Sequence, residues 1–166
     1  MARLAAQPDS VIEFTETRHS SMLKEPLVTT GELRFKPPST LERRVTAPFA
    51  ERYLVEGDHV TIERPGSGAP RTLSLAGQPL LANLIGTIRA LLRGDLKTLE
   101  RLYRIELRGA PDDWSLTLLP ADPAMVEFVA SVHVKGRAAA LTEMETVEPN
   151  GDRTVTRFVR AREAPR

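Results

Sequence analysis

Few side chains in this sequence could do covalent chemistry, and they are scattered. The three histidines, His19, His59 and His133, stand far apart, no two of them at metal-ligand spacing. Lone histidines in strands or turns are ordinary surface residues, so no metal or catalytic role is expected for them. Glu143 and Glu145 fall on one face of an expected strand, the arrangement of paired carboxylates, but the pattern supplies neither a partner acid nor a cleft. Gly66-Ser67-Gly68 lies in a proline-flanked hairpin and not before a helix, where backbone N–H groups could cradle a phosphate. The chain has no G-x-S-x-G elbow, Walker-type loop or H-E-x-x-H motif. With no cysteine, thiolate catalysis, thiolate zinc sites and disulfide frameworks are excluded together. The polar feature that stands out is basic: Arg43 and Arg44, with Arg34 and Lys36 nearby. It reads either as edge charge that blocks aggregation or as a contact for an anionic head group or a partner. No catalytic residue, metal or cofactor is expected.

The elements that must carry these residues are mostly strands. Residues 11–18, 27–35, 41–47, 51–56, 60–64 and 72–76 are short β-branched or alternating runs divided by proline and glycine turns. Glu56-Gly57-Asp58-His59 is a hairpin signal. The period then changes. Leu80, Leu81, Leu84, Ile85, Ile88, Leu91 and Leu92 make a wide apolar stripe on a helix opened by Pro79 and closed by Gly94. Asp95 is suited to cap a second short helix through about residue 101. Five more strand-like runs follow, at 103–108, 114–119, 126–134, 139–147 and 154–160, with turns expected at 109–113, 135–136 and 149–152. Turns this short make neighbouring strands antiparallel. The expectation is an α+β fold: a curved antiparallel sheet of about eleven strands with a helical hairpin on one face. One domain spanning 1–166 is expected, with 1–9 and 161–166 as flexible ends.

Composition bounds the task. Lys and Arg number 23 against 22 Asp and Glu, a net charge of +1, which argues against a dedicated nucleic-acid binder. No run approaches the 18 or more apolar residues of a membrane-spanning helix. Residues 1–8 are too short and polar for a signal peptide, which leaves a cytosolic chain or a mature exported one.

A sheet of eleven strands curls, because twist accumulates. Alternation puts Leu33, Phe35, Leu41, Val45, Tyr53, Val55, Leu107, Trp114, Leu116 and Leu118 on the inner face. These either meet the helix in a solid core or line a hollow beneath it. In the second case Leu81, Leu84, Ile85, Ile88 and Leu92 form the underside of a lid, and the whole set is the candidate lipid-binding surface.

The order of these features resembles the periplasmic outer-membrane lipoprotein carrier (LolA-like) family, in a divergent branch. The likeness begins at Gly31 (GELRFKPP) and runs through Leu41 (LERRVTAP) into Tyr53 (YLVEGDHV). It closes on Leu141 (LTEMETVE) and Asn150 (NGDRTVTRF), and covers roughly residues 10–160. The helix at 80–92, Gly94-Asp95 and WSLTLLP from Trp114 mark the divergence. Pro37 stands where main-branch carriers have an arginine that latches the lid, and little chain precedes Val11 for their N-terminal helix. The resemblance implies an open β half-barrel closed by helices and a periplasmic home after loss of a signal peptide. It implies a non-enzymatic, monomeric carrier of an acylated lipoprotein or lipid between an inner-membrane donor and an outer-membrane acceptor. A lipid-sensing adaptor of the same fold remains an alternative, as does an accessory protein for a lipid-linked product such as an aryl polyene.

Overall fold

The computed structural model describes residues 10–163, with side chains described through residue 159. Eleven strands form one antiparallel sheet: β1 (Ser10–His19), β2 (Leu27–Lys36), β3 (Thr40–Ala47), β4 (Glu51–Glu56), β5 (His59–Glu63), β6 (Arg71–Ser74), β7 (Tyr103–Ala110), β8 (Asp113–Pro120), β9 (Ser131–Arg137), β10 (Ala140–Val147) and β11 (Arg153–Glu163). Their order is β6-β5-β4-β3-β2-β1-β11-β10-β9-β8-β7. The chain's first and last strands therefore meet in the middle, with Thr15 opposite Arg157. β6 and β7 remain unpaired with each other, so the sheet is open and not a barrel.

That topology explains the position of the helices. The chain leaves one edge at β6, makes a 3₁₀ turn (Leu75–Gly77), and runs as α1 (Pro79–Arg93) and α2 (Leu96–Leu102) before entering the opposite edge at β7. Getting from edge to edge requires crossing a face, and the apolar stripe selects which one. Pro79 sits in the first turn of α1, and Gly94 ends it in the left-handed region at φ 64°. Asp95 starts α2 by accepting from the Thr98 backbone N–H at 3.1 Å and the Thr98 hydroxyl at 2.8 Å. α1 bridges two apolar clusters: Ile85 and Leu92 pack with β1–β5, while Ala90 and Leu91 pack with Tyr103, Trp114, Leu116 and Val134.

Three expectations need correction. A strand was expected from residue 126, but a short helix, α3 (Pro123–Val126), occupies that place and β9 starts only at Ser131. Asp122 caps that helix by accepting from the Ala124 N–H at 2.9 Å, and Pro123 stands at its first position. The turn expected at 135–136 is strand; the chain reverses at 138–139 instead. Gly136 is a glycine because the Trp114 indole lies across it: a Cβ there would stand 2.1 Å from Trp114 Cζ2. The tail expected to be loose from 161 continues as β11 through Glu163, which pairs with Ser10. The ends at 1–9 and 164–166 lie outside the described residues.

Candidate functional site

Successive side chains on a strand point to opposite faces, so the register decides what α1 covers. Ile12, Leu33, Arg43, Tyr53 and Ile62 form one inward row across β1–β5, and Phe14, Gly31, Val45 and Glu51 form the next. Of the candidate lining residues, Leu33, Phe35, Leu41, Val45, Val55, Ile85 and Leu92 are buried in the first cluster, with Tyr53, Leu81 and Ile88 half-buried against it. Trp114, Leu116 and Leu118 are buried in the second. Two candidates stand outside. Leu84 is 40% exposed, at the edge of the helix stripe. Leu107 shares the face of its cross-strand partner Leu116 but is 58% exposed, because β7 is an edge strand that the helices cover only near Tyr103.

The space under α1 is largely filled. A cavity of about 60 Å³ remains between α1 and the middle of the sheet, bounded by Leu33, Ile88, Leu91, Leu92, Met144 and Phe158. A water-sized group needs about 10–15 Å³ of such space, so this one holds roughly four to six of them and no long acyl chain. The inner face is thus a packed core with a small residual chamber beneath α1.

Two polar ties hold α1 down. The buried Thr87 hydroxyl donates to the Asn83 carbonyl at 2.7 Å, which leaves the Tyr103 hydroxyl to donate to Thr87 Oγ1 at 2.7 Å. Burial pushes the Tyr103 phenol up, so it stays protonated. Two residues nearer the end of the helix, both terminal nitrogens of Arg89 donate to the Gly57 carbonyl in the β4–β5 turn, at 3.3 Å each.

The basic pair does not act as one cluster. Arg44 lies on the outer face, where it meets Glu42 at 3.1 Å beside the Arg52 to Glu63 pair. Arg43 points inward. Its guanidinium donates to Glu16 at 3.0 Å and lies 5.0 Å from the Phe14 ring centroid and 6.0 Å from that of Tyr53. Glu16 in turn accepts from the Thr156 hydroxyl at 3.2 Å. Close by, the Tyr53 hydroxyl donates to Glu51 at 2.6 Å and holds its carboxyl below the usual range, with Arg64 adding to the effect at 2.7 Å. Burial and that neighbouring carboxylate push the Tyr53 phenol up.

Glu143, Glu145 and His133 lie in ion pairs and hydrogen bonds elsewhere. Glu143 pairs with Lys135 at 2.9 Å and Arg157 at 3.3 Å, and the Lys135 ammonium lowers its pKa most. Glu145 faces Arg153 at 3.6 Å. His133 hydrogen-bonds the Thr117 and Ser131 hydroxyls at 3.3 and 3.0 Å. Among the described residues no group of three or more histidines and carboxylates could hold a metal, and no helix is long and apolar enough to cross a membrane.

Reading the sequence alone overlooked Phe14, Glu16, Met144, Thr156 and Phe158. A signal existed for two of them: Ile12 and Phe14 set an apolar parity in β1, and Glu16 continues it. For Thr156 and Phe158 there was none, since their place depends on β11 pairing with β1.

The family model described as outer membrane lipoprotein carrier protein LolA-like matches residues 1–165. No functionally curated protein matches the sequence. Among solved structures, a DUF1329 family protein from Desulfovibrio piger is similar at 15% identity and a TM-score of 0.52, with 97% of this chain and 88% of that one aligned. A chain of the Pseudomonas aeruginosa MucA/MucB complex is similar at 13% identity and a TM-score of 0.52; 99% of this chain matches 56% of that one. A LolA superfamily protein from Nitrosomonas europaea aligns at 12% identity and a TM-score of 0.49 over 99% and 91% of the two chains.

Proposed function

The chain belongs to the LolA-like family of outer-membrane lipoprotein carrier proteins, and on that premise we propose that it is a non-enzymatic, monomeric periplasmic carrier. It shields the acyl chains of a lipoprotein or other lipid on the way from an inner-membrane donor to an outer-membrane acceptor. One observation carries the reading: an apolar sheet face covered by a single amphipathic helix, with a chamber already begun between them. Each buried methylene stabilises by about 0.8 kcal/mol, so a 16-carbon chain resists water by on the order of 12 kcal/mol. A carrier must bury that surface and also release it. When α1 lifts, its underside and the sheet exchange contacts with each other for contacts with the cargo. Net affinity is then a difference between two similar terms, which permits hand-off.

The test is native mass spectrometry of gently isolated protein, with the Ile88→Asp variant alongside. Acyl-modified cargo should travel with the wild type and be absent from the variant, whose carboxylate would stand in the chamber wall. Wild-type protein that stays empty and ignores fatty-acyl probes would sink the carrier reading. The fold shared with a chain of the MucA/MucB complex favours one alternative, a partner-binding lipid sensor. A sensor would form a stable complex with a protein domain that is made or broken by lipid.

A further inference from the structure

One side of the chamber differs in chemistry from the rest of its wall. Phe14, Leu33 and Leu91 beside it are at most 7% exposed, whereas the side chains of Glu16 and Arg43, which border the same chamber, keep 26% and 34% of their exposure. Once α1 lifts and the chamber widens, an apolar space bordered by a half-wet cation matches a single-chain amphiphile, tail inward and head at the water. We propose that Arg43 is a head-group anchor and that the preferred ligand is a single-chain lipid with an anionic head, carboxylate or phosphate. The inference rests on the carrier reading and deepens it by naming the ligand class.

The geometry around Arg43 supplies the reasons. Guanidinium offers five N–H donors in a planar fork, and Glu16 takes one contact, from a single terminal nitrogen. The aromatic rings of Phe14 and Tyr53 hold the fork's plane in place without using its donors. A carboxylate or phosphate can take two parallel N–H bonds there, the arrangement that favours arginine over lysine. Glu16 is the built-in competitor: Thr156 holds its second oxygen, so it stays beside Arg43 in the empty protein and must share the cation when a head group arrives. An empty carrier thus keeps that charge neutralised. Arg44, one residue on, cannot substitute, because the pleat sends it to the outer face to pair with Glu42.

The experiment compares dodecanoate, dodecyl phosphate and 1-dodecanol, equal chains with different heads, by displacement of a fluorescent acyl probe from the full chain. The wild type should bind at least one of the two anions about tenfold or more tightly than the alcohol, the size of a charge-assisted hydrogen-bond pair. Arg43→Met should erase that difference and leave dodecanol binding in place, which also reports that the variant is folded. Glu16→Gln should widen the difference, and it decides the matter if the Arg43 variant does not fold. Equal binding of all three lipids, or a preference for anions that survives Arg43→Met, overturns the head-group anchor and leaves the carrier standing. Binding of none of the three overturns both.

Discussion

If cargo enters by lifting α1, loosening the helix without touching the chamber should tighten binding. Tyr103→Phe does this. Tyr103 is 4% exposed, belongs to the second cluster and does not border the chamber, and among the described residues its hydroxyl pairs with Thr87 alone. Removing it leaves no orphan, because Thr87 still donates to the Asn83 carbonyl. The loss is therefore that of one net hydrogen bond, about 0.5–1.5 kcal/mol. It falls on the closed form alone, since a lifted helix leaves the phenol to water. Weakening the closed form by that amount raises the apparent acyl affinity by about 2- to 12-fold, because affinity scales with the competent fraction. Urea unfolding by linear extrapolation gives the first quantity, and displacement of a fluorescent acyl probe gives the second. A stability loss of the expected size with unchanged or weaker acyl binding would refute the lifting of α1 as the route of entry.

Three further outcomes follow from particular contacts. Gly136→Ala puts a methyl group into the Trp114 indole and endangers its N–H bond to the Ala138 carbonyl at 3.0 Å; about 2–4 kcal/mol of stability should go. At roughly 2–4 °C per kcal/mol for this chain length, calorimetry should show Tm about 4–16 °C lower, with partial rescue when Trp114→Phe is added. Asp152 accepts from the Ser20 hydroxyl at 2.5 Å, its largest source of stabilisation, and from the Ser21 N–H at 3.0 Å; both hold its carboxyl below the ordinary range. A depressed folded pKa stabilises above the unfolded value and is lost as pH falls through the folded one, so the wild type should lose stability below about pH 4. In Asp152→Asn, acid titration followed by circular dichroism should show a shallower decline in that window. Leu107→Ser changes an exposed residue beyond the helices' reach, so unfolding free energy should move by no more than about 0.5 kcal/mol and acyl uptake should hold.

Much of the architecture is legible along the chain because its signals are local. Period-two runs, the proline and glycine limits of α1 and the Asp95 cap each depend on residues within a turn or two, and the elements they mark, β9 apart, lie within a few residues of their expected places. The failures are equally physical. Gly136 reads as a turn residue until the indole that crosses it, from another strand, is known. Residues 126–130 are β-branched and aromatic enough to read as strand, but Asp122 and Pro123 start a helical turn that runs into them.

The candidate site divides the same way. Alternation by itself determined that Leu33, Phe35, Leu41, Val45 and Val55 share a face and that α1 carries a matching stripe. It could also have separated Arg43 from Arg44, since adjacent residues on a strand must point apart. Only the tertiary structure decided what Arg43 meets. Glu16 lies 27 residues away along the chain and Thr156 lies 140 residues from Glu16. They converge because the first and last strands pair in the centre of an open sheet while the helices cross from one free edge to the other. Local preferences act over a few residues; strand order is settled by which faces can be buried together, and that is a property of the whole chain.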